Sequence, residues 1–197
     1  MSAGRHRNFD KDIALDAAVE LFWTNGYLGT SLSDLTSAMG INKPSLYSAF
    51  GNKEELFKSV LNRYVKTYGE HHVKELFSSK KSLKKRLLCY LESMADMLSD
   101  PSMPGGCLIT TCTCEAGGDC LPAGAFQAVK IINESTKKAL IEFFSAEISQ
   151  GNLGKSCSAE VLANYLFTIQ FGLAVMARNG AKQKELNNVI KYAVSTF

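Results

Sequence analysis

Apolar residues recur at helical spacing along most of this chain, and no long alternating strand pattern interrupts them. The first such segment runs from Asp10 to Asn25, and Gly26 ends it. Its apolar face is formed by residues at i, i+3 and i+4 spacing, namely Ile13, Ala14, Ala17, Ala18, Leu21 and Phe22. The pattern predicts an all-α protein.

Two short helices joined by a tight turn are predicted next. Ser31 caps the first, and Asp34 three residues later completes a capping box. Gly40 permits the turn. Asn42 then caps the second short helix, and Pro44 is tolerated in the first turn of that helix.

A longer helix follows at once. Asn52 caps it, with Glu55 in the reciprocal position, and the apolar pattern extends to about Phe77. A helix of that length leaves the first three helices and enters a second unit. We therefore divide the chain into a first domain at 1–55, which includes an N-terminal arm at 1–8, and a second domain at 56–197.

The second domain is predicted to be helical as well. The segments are 82–99, a short apolar piece at 107–114, a long amphipathic helix at 123–150, an apolar helix at 158–178 and a last helix at 182–197. The last helix carries apolar residues at i, i+3, i+4, i+7, i+8 and i+11, and a stripe that regular needs a partner surface. The helix at 158–178 approaches membrane-spanning length, but its polar residues favour a buried helix, so no membrane contact is expected.

Composition limits the function classes. The net charge of +3 is mild, and residues 1–60 hold six Lys and Arg against seven Asp and Glu, so any binding of nucleic acid depends on where the charges lie. No apolar signal region opens the chain, and six cysteines without one suggest reduced thiols in a cytoplasmic protein. We find no Gly-rich phosphate loop, nucleophile elbow or paired catalytic carboxylates, so catalysis and a cofactor are not expected.

The two short helices have the arrangement of a helix-turn-helix, whose second helix places its first residues against base edges in the major groove. The residues in that position can donate hydrogen bonds or contact a thymine methyl, and they are Lys43, Pro44, Ser45, Tyr47 and Ser48. The helix start at Ser31 offers N–H groups to phosphate, and Lys53 adds a charge beside another helix start. Arg5 and Arg7 in the arm are candidates for a minor groove.

The segment from Ser31 to Leu56, SLSDLTSAMGINKPSLYSAFGNKEEL, resembles the DNA-binding signature of the TetR family of bacterial transcriptional repressors. Gly106, Cys107 and Leu108 resemble one branch of that family. The resemblance implies a homodimer, built through the last two helices, that binds a palindromic operator and releases it when an effector enters the C-terminal domain. It also implies phosphate contacts by Tyr47 and Lys53.

The effector site is less defined by sequence. Candidates are the apolar and aromatic residues of the second domain, together with one cysteine and one threonine: Met94, Met97, Cys107, Leu108, Thr111, Phe126, Phe144, Tyr165 and Phe171. Cys107, Cys112, Cys114 and Cys120 leave three alternatives open, namely buried packing, reaction with oxidants or electrophiles, and binding of a soft metal. Their spacing matches no standard zinc pattern, so no metal site is assigned. A helical interaction adaptor without DNA binding is the rival of another class.

Overall fold

The computed structural model describes residues 9–78, 80–117, 120–153 and 157–197. Within these ranges the chain is helical and contains no strand, so the predicted all-α class is confirmed. The arm residues Arg5 and Arg7 lie outside the described residues.

The first three helices follow the predicted caps. They are α1 (Lys11–Asn25), α2 (Leu32–Ala38) and α3 (Lys43–Phe50). The Ser31 hydroxyl accepts a hydrogen bond from the Asp34 N–H, and the Asp34 carboxylate accepts one from the Ser31 N–H. Local side-chain chemistry therefore fixes where these helices begin.

The predicted long helix is helical throughout its span but is not one regular α-helix. It divides into α4 (Lys53–Tyr64), a π-helical turn (Val65–Gly69) and α5 (Glu70–Leu76). The π turn contains a β-branched valine and threonine and ends on glycine, which are weak helix formers. Single π turns inside helices are frequent at functional sites.

The remaining helices form the larger unit. They are α6 (Leu83–Leu98), α7 (Leu108–Glu115), α8 (Ala123–Ser149), α9 (Ala159–Arg178) and α10 (Gln183–Ser195). α8 packs along α9, whereas α6 packs against both α5 and α10.

Buried residues form two cores. The first joins α1 to α4 with α7 and the start of α8, and the second joins α5, α6, α9 and α10 with the end of α8. The first core therefore crosses the chain division at residues 55 and 56, and that division stays a prediction.

The apolar stripe of α10 finds its partner within the same chain. Leu186, Ile190, Ala193 and Val194 are buried in the monomer, where α10 packs against α6. The stripe was expected to point to a partner surface, and α6 supplies one. α9 is long and apolar enough to span a membrane by length and composition, and it packs against α6 and α8.

Candidate nucleic-acid interface and internal cavity

The start of α3 forms an exposed surface anchored from below. Leu46 is 1% exposed and packs into the first core, whereas Lys43, Pro44, Tyr47 and Ser48 are exposed. Leu46 therefore anchors α3, while its neighbours remain available to a ligand. Ser45, half-buried, uses its N–H to hydrogen bond the Asn42 side chain, which fixes the start of α3.

The Lys53 ammonium, which its sequence position suggests is free for DNA, already contacts the protein. Its Nζ donates to the Tyr27 carbonyl at 2.7 Å and lies 4.1 Å from the centroid of the Tyr27 ring. Burial lowers the pKa of Lys53, and the nearby Glu115 carboxylate acts in the opposite direction. Since an ammonium has three donors, one bond to Tyr27 leaves two for a phosphate.

An internal cavity of about 190 Å³ lies beside the π turn. Tyr64, Val65, Tyr68 and Gly69 form the wall on that side, so the helical segment that begins at Lys53 reaches the cavity at its other end. The remaining wall comes from α5, α6, the start of α7, α8 and α9, and it is largely apolar and aromatic. Such a lining is typical of sites for small organic molecules.

The cavity gathers only some of the residues proposed for the effector site. Met94, Met97, Cys107 and Phe171 line it. The other five candidates, which do not line it, are Leu108, Thr111, Phe126, Phe144 and Tyr165.

Tertiary packing explains the difference. Leu108 is buried in the first core, and Phe144 is buried in the second, where it stacks on Phe197 at 5.5 Å between ring centroids. Tyr165 packs on the same Phe197 ring. Phe126 faces the outside of α8 and is exposed. These positions follow from which side of each helix meets a neighbour.

The clustered cysteines have different environments. Cys107 lines the cavity, and its Sγ accepts a hydrogen bond from the Tyr64 hydroxyl at 3.4 Å. Burial raises the pKa of that hydroxyl well above its usual value, so it remains a donor. Cys112 is buried, and burial, followed by the Glu115 carboxylate, raises the pKa of its thiol. Cys114 and Cys120 are exposed.

The described parts of the chain contain no group of three or more His, Cys, Asp or Glu that could hold a metal ion. The soft-metal alternative therefore gains no support from these residues.

Trp23 connects α1 to the cavity wall. Its ring meets Tyr64 and Tyr68 edge-on at 4.9 and 5.0 Å between centroids, and its Nε1 donates to the Gly106 carbonyl at 3.1 Å. Gly106 precedes Cys107, which accepts from Tyr64. A closed set of contacts therefore joins the last turns of α1 to two sides of the cavity.

Two charged side chains add further contacts at this junction between α1 and the cavity wall. The Arg178 guanidinium, at the end of α9, donates to the carbonyls of Trp23 and Thr24 at the end of α1. The Glu115 carboxylate, at the end of α7, accepts from the N–H groups of Tyr27 and Leu28 at 2.8 and 3.2 Å. Neither residue was singled out from sequence, because a charge at a helix end gives no sign of a partner that distant in the chain.

The cavity also includes residues that the sequence reasoning left unassigned. The apolar pattern placed Tyr64 on one stripe of the predicted long helix, and Tyr68 and His72 on the stripe beside it, without showing that these stripes border a cavity. Gln170, on α9, is another lining residue, and its amide donates to the Tyr90 hydroxyl at 2.9 Å.

An exposed helix start carried by a capped helix-turn-helix, joined to a larger helical unit that contains a cavity, is the arrangement of a DNA-binding regulator. Comparison with known proteins agrees. The family model "Bacterial regulatory proteins, tetR family" matches residues 14–60. The HTH-type transcriptional repressor ComR of Escherichia coli (strain K12) is 35% identical over 189 residues, which cover 95% of this chain and 89% of ComR.

Two further relatives extend over nearly the whole chain. The HTH-type transcriptional repressor BdcR of the same organism is 26% identical over 93% of this chain and 86% of BdcR. A solved structure of CifR, a TetR family transcriptional regulator with substituted cysteines complexed with 26bp double-strand operator DNA, has a TM-score of 0.89 and 29% identity. That match covers 98% of this chain and 100% of CifR.

The chain therefore belongs to the tetR family of bacterial regulatory proteins. It is a DNA-binding transcriptional repressor, so the predicted fold and function class are confirmed.

Proposed function

We propose that this repressor binds a palindromic operator as a homodimer in the cytoplasm, and that a small molecule in the internal cavity releases it. One observation carries the proposal. The helical segment that begins at Lys53 beside the DNA-reading helices ends in the cavity wall, where its π turn lies. A ligand that prefers one position of this segment shifts the population toward that position.

The DNA contacts are assigned to the exposed start of α3. Lys43, Pro44, Tyr47 and Ser48 project from a helix held by Leu46, with Ser45 beside them, while Lys53 and the N–H groups at Ser31 lie at neighbouring helix starts. The adaptor alternative predicts no such binding.

A mobility-shift titration with DNA from upstream of the protein's own gene tests this assignment. Lys43→Ala is expected to weaken binding and to reduce the salt slope by about one. Lys85→Ala, an exposed lysine on α6, is the matched control and should leave both unchanged. The absence of any shift, or an equal effect of both variants, contradicts DNA reading by α3.

The junction at Trp23 supplies the route from cavity to DNA. Tyr64 and Tyr68 border the cavity on one side and contact Trp23 on the other. Met97→Trp places a larger side chain in the cavity and is expected to weaken operator binding as a bound ligand would. Tyr192→Trp, at a 76% exposed position on α10, should have no effect. If Met97→Trp folds by circular dichroism and binds the operator like the wild type, the cavity does not control binding.

The homodimer is assigned to α9 and α10. No charged residue occurs from Val161 to Ala177, yet Val161, Thr168, Gly172 and Val175 are exposed along one side of α9. Tyr192 on α10 is exposed as well. An uncharged helix side of this length is typical of a helix covered by a partner.

Sedimentation analysis tests the dimer. Val175→Asp is expected to give monomers, whereas Ile131→Asp, at a similarly exposed position on α8, should remain dimeric. A dimer that survives Val175→Asp excludes this side of α9 as the contact.

A thiol-reactive effector is the second candidate, because Cys107 is the clustered cysteine whose thiol lines the cavity and contacts Tyr64. A thiol-specific alkylating agent should release the operator from the wild type and not from Cys107→Ser. Cys157→Ser, which removes an exposed thiol, is the control. If the reagent releases the operator from both variants, Cys107 is not the reactive thiol.

A further inference from the structure

Arg178 ends the side of α9 that borders the cavity. Phe171 and Ala174 line the cavity, and Arg178 continues the same side of the helix one turn later. Its guanidinium reaches away from α9 and donates to the Trp23 carbonyl at 3.0 Å and to the Thr24 carbonyl. Arg178 therefore bridges α9 to α1, the first of the DNA-reading helices.

The chemistry of this contact suits its position. The last carbonyls of a helix have no intrahelical partner and carry the negative end of the helix dipole. A guanidinium satisfies both needs, because it is permanently charged and holds several donors in one plane. The nitrogen that bonds Trp23 also lies 3.4 Å from the Gly105 carbonyl oxygen. One side chain is thus held by carbonyls of two separate chain segments.

The turn before α7 is packed against the same place. Gly106 has a φ of +65°, and a Cβ built on it would lie 3.0 Å from both the Ala174 carbonyl oxygen and the Arg178 Cβ. The Gly106 carbonyl accepts the Trp23 indole N–H at 3.1 Å. Three segments meet here, so a movement of α1 relative to α9 requires these contacts to break.

The side of α9 assigned to the dimer contact lies next to this one. Its exposed residues are Val161, Thr168, Gly172 and Val175. In a dimer, each α9 meets its partner on that side and holds α1 of its own subunit through Arg178. The distance between the two α1 helices, and between the two α3 helices that pack with them, is then tied to the dimer contact.

We propose that Arg178 determines the spacing of half-sites that the repressor accepts, as a positioning residue that holds each DNA-reading unit relative to the dimer contact. One added base pair moves a half-site by roughly 3.4 Å and rotates it by roughly 35°. To follow such a change, the wild type must break the Arg178 contacts in at least one subunit. The inference rests on the proposed function, which supplies the dimer contact and the palindromic operator.

Three DNA duplexes measure the spacing preference. One is the palindrome that footprinting finds upstream of the protein's own gene, and the others have one base pair more or one fewer at its centre. Mobility shifts give the spacing ratio, which is the Kd for an altered duplex divided by the Kd for the original. Arg178→Met keeps the apolar stem and should lower this ratio roughly five- to tenfold, the value expected for exposed charged hydrogen bonds.

Two further variants protect the test from a folding or charge effect. Arg178→Lys keeps the charge without the planar fork and should retain part of the ratio. Lys184→Met removes a positive charge from an exposed position on α10 and should leave the ratio unchanged. Circular dichroism and sedimentation establish that each variant is a folded dimer. If Arg178→Met loses all DNA binding, Arg178→Lys supplies the comparison.

A merely structural role gives a different result. If Arg178→Met weakens binding to all three duplexes by one factor, or changes none of them, Arg178 does not set the spacing. A wild-type ratio near one, or an equal reduction by Lys184→Met, also overturns the proposal. Failure of the proposed function shows separately, when the wild type shifts none of the duplexes or when Val175→Asp remains dimeric.

Discussion

The DNA-reading helices and the cavity wall obey different structural rules. α1 to α4 begin at Asp10, Ser31, Asn42 and Asn52, and each of these side chains accepts a hydrogen bond from the start of its helix. By contrast, four of the helices around the cavity, α5 to α8, begin without such a bond and follow a π turn, whereas α9 is capped by Ser158. The reader is defined locally, whereas the cavity wall depends on contacts between helices that are distant in the chain.

This difference suits the two tasks. A surface that positions side chains against base edges requires a rigid backbone. A cavity that responds to a ligand requires a wall whose helices can settle in more than one position. Trp23 lies where the two regions meet, and it contacts the cavity wall through rings rather than through a helix cap.

The largest expected effect separates a packed anchor from a cavity wall. Leu46→Ala removes a fully buried side chain beneath α3 and is expected to reduce the free energy of unfolding by about 3 kcal/mol. Met94→Ala should cost less than half of that, because its side chain already borders a cavity and loses fewer contacts. Urea unfolding measures both, and equal losses would contradict the contrast.

Lowering the pH should reduce the free energy of unfolding, because His72 takes up a proton more readily in the unfolded chain. The folded pKa of about 4 lies below the ordinary value of 6.5, so the unfolded chain takes up the proton first. Stability is therefore complete above pH 6.5 and falls as the pH decreases toward 4, by up to about 3 kcal/mol. Asp96 opposes this shift, and burial and His71 favour it.

Urea unfolding at a series of pH values checks this sign. His72→Phe should flatten the profile between pH 6.5 and 4, whereas His71→Gln should retain most of it. A wild-type profile that is flat over this range would show that His72 is not desolvated in the folded state.

The smallest expected effect compares two serines at helix starts. Ser31→Ala removes the capping box of α2 and should cost about 1 kcal/mol. Ser82→Ala, at the start of α6, removes no side-chain cap and should change stability by less than about 0.5 kcal/mol. Thermal melts measure both stability losses. A larger loss for Ser82→Ala than for Ser31→Ala would show that local caps do not distinguish the two regions.

Sequence reasoning succeeded where the signal is local. The capping pairs Ser31 with Asp34 and Asn52 with Glu55 were visible as residues three apart, and the structure forms both boxes. It was less complete for the last helix, whose apolar stripe pointed to a partner surface without revealing that α6 of the same chain provides it. Periodicity shows which side of a helix is covered but not by what.

The full set of residues that line the cavity could not be predicted from the sequence. Met97 and Phe144 have equivalent sequence signals, yet one lines the cavity and the other stacks in the second core. Lys53 looks like a free basic residue at a helix start, but Tyr27 holds it. In each case the deciding neighbour lies far away in the sequence.

The amino-acid sequence by itself determined the helical class, the helix starts of the reader and the family resemblance, because caps and apolar spacing act over a few residues. Only the tertiary structure decided that Trp23 joins α1 to the cavity and that Cys107 and not Cys112 faces it. Burial and hydrogen-bond satisfaction are properties of packed surfaces, and packing brings together residues that no local pattern relates.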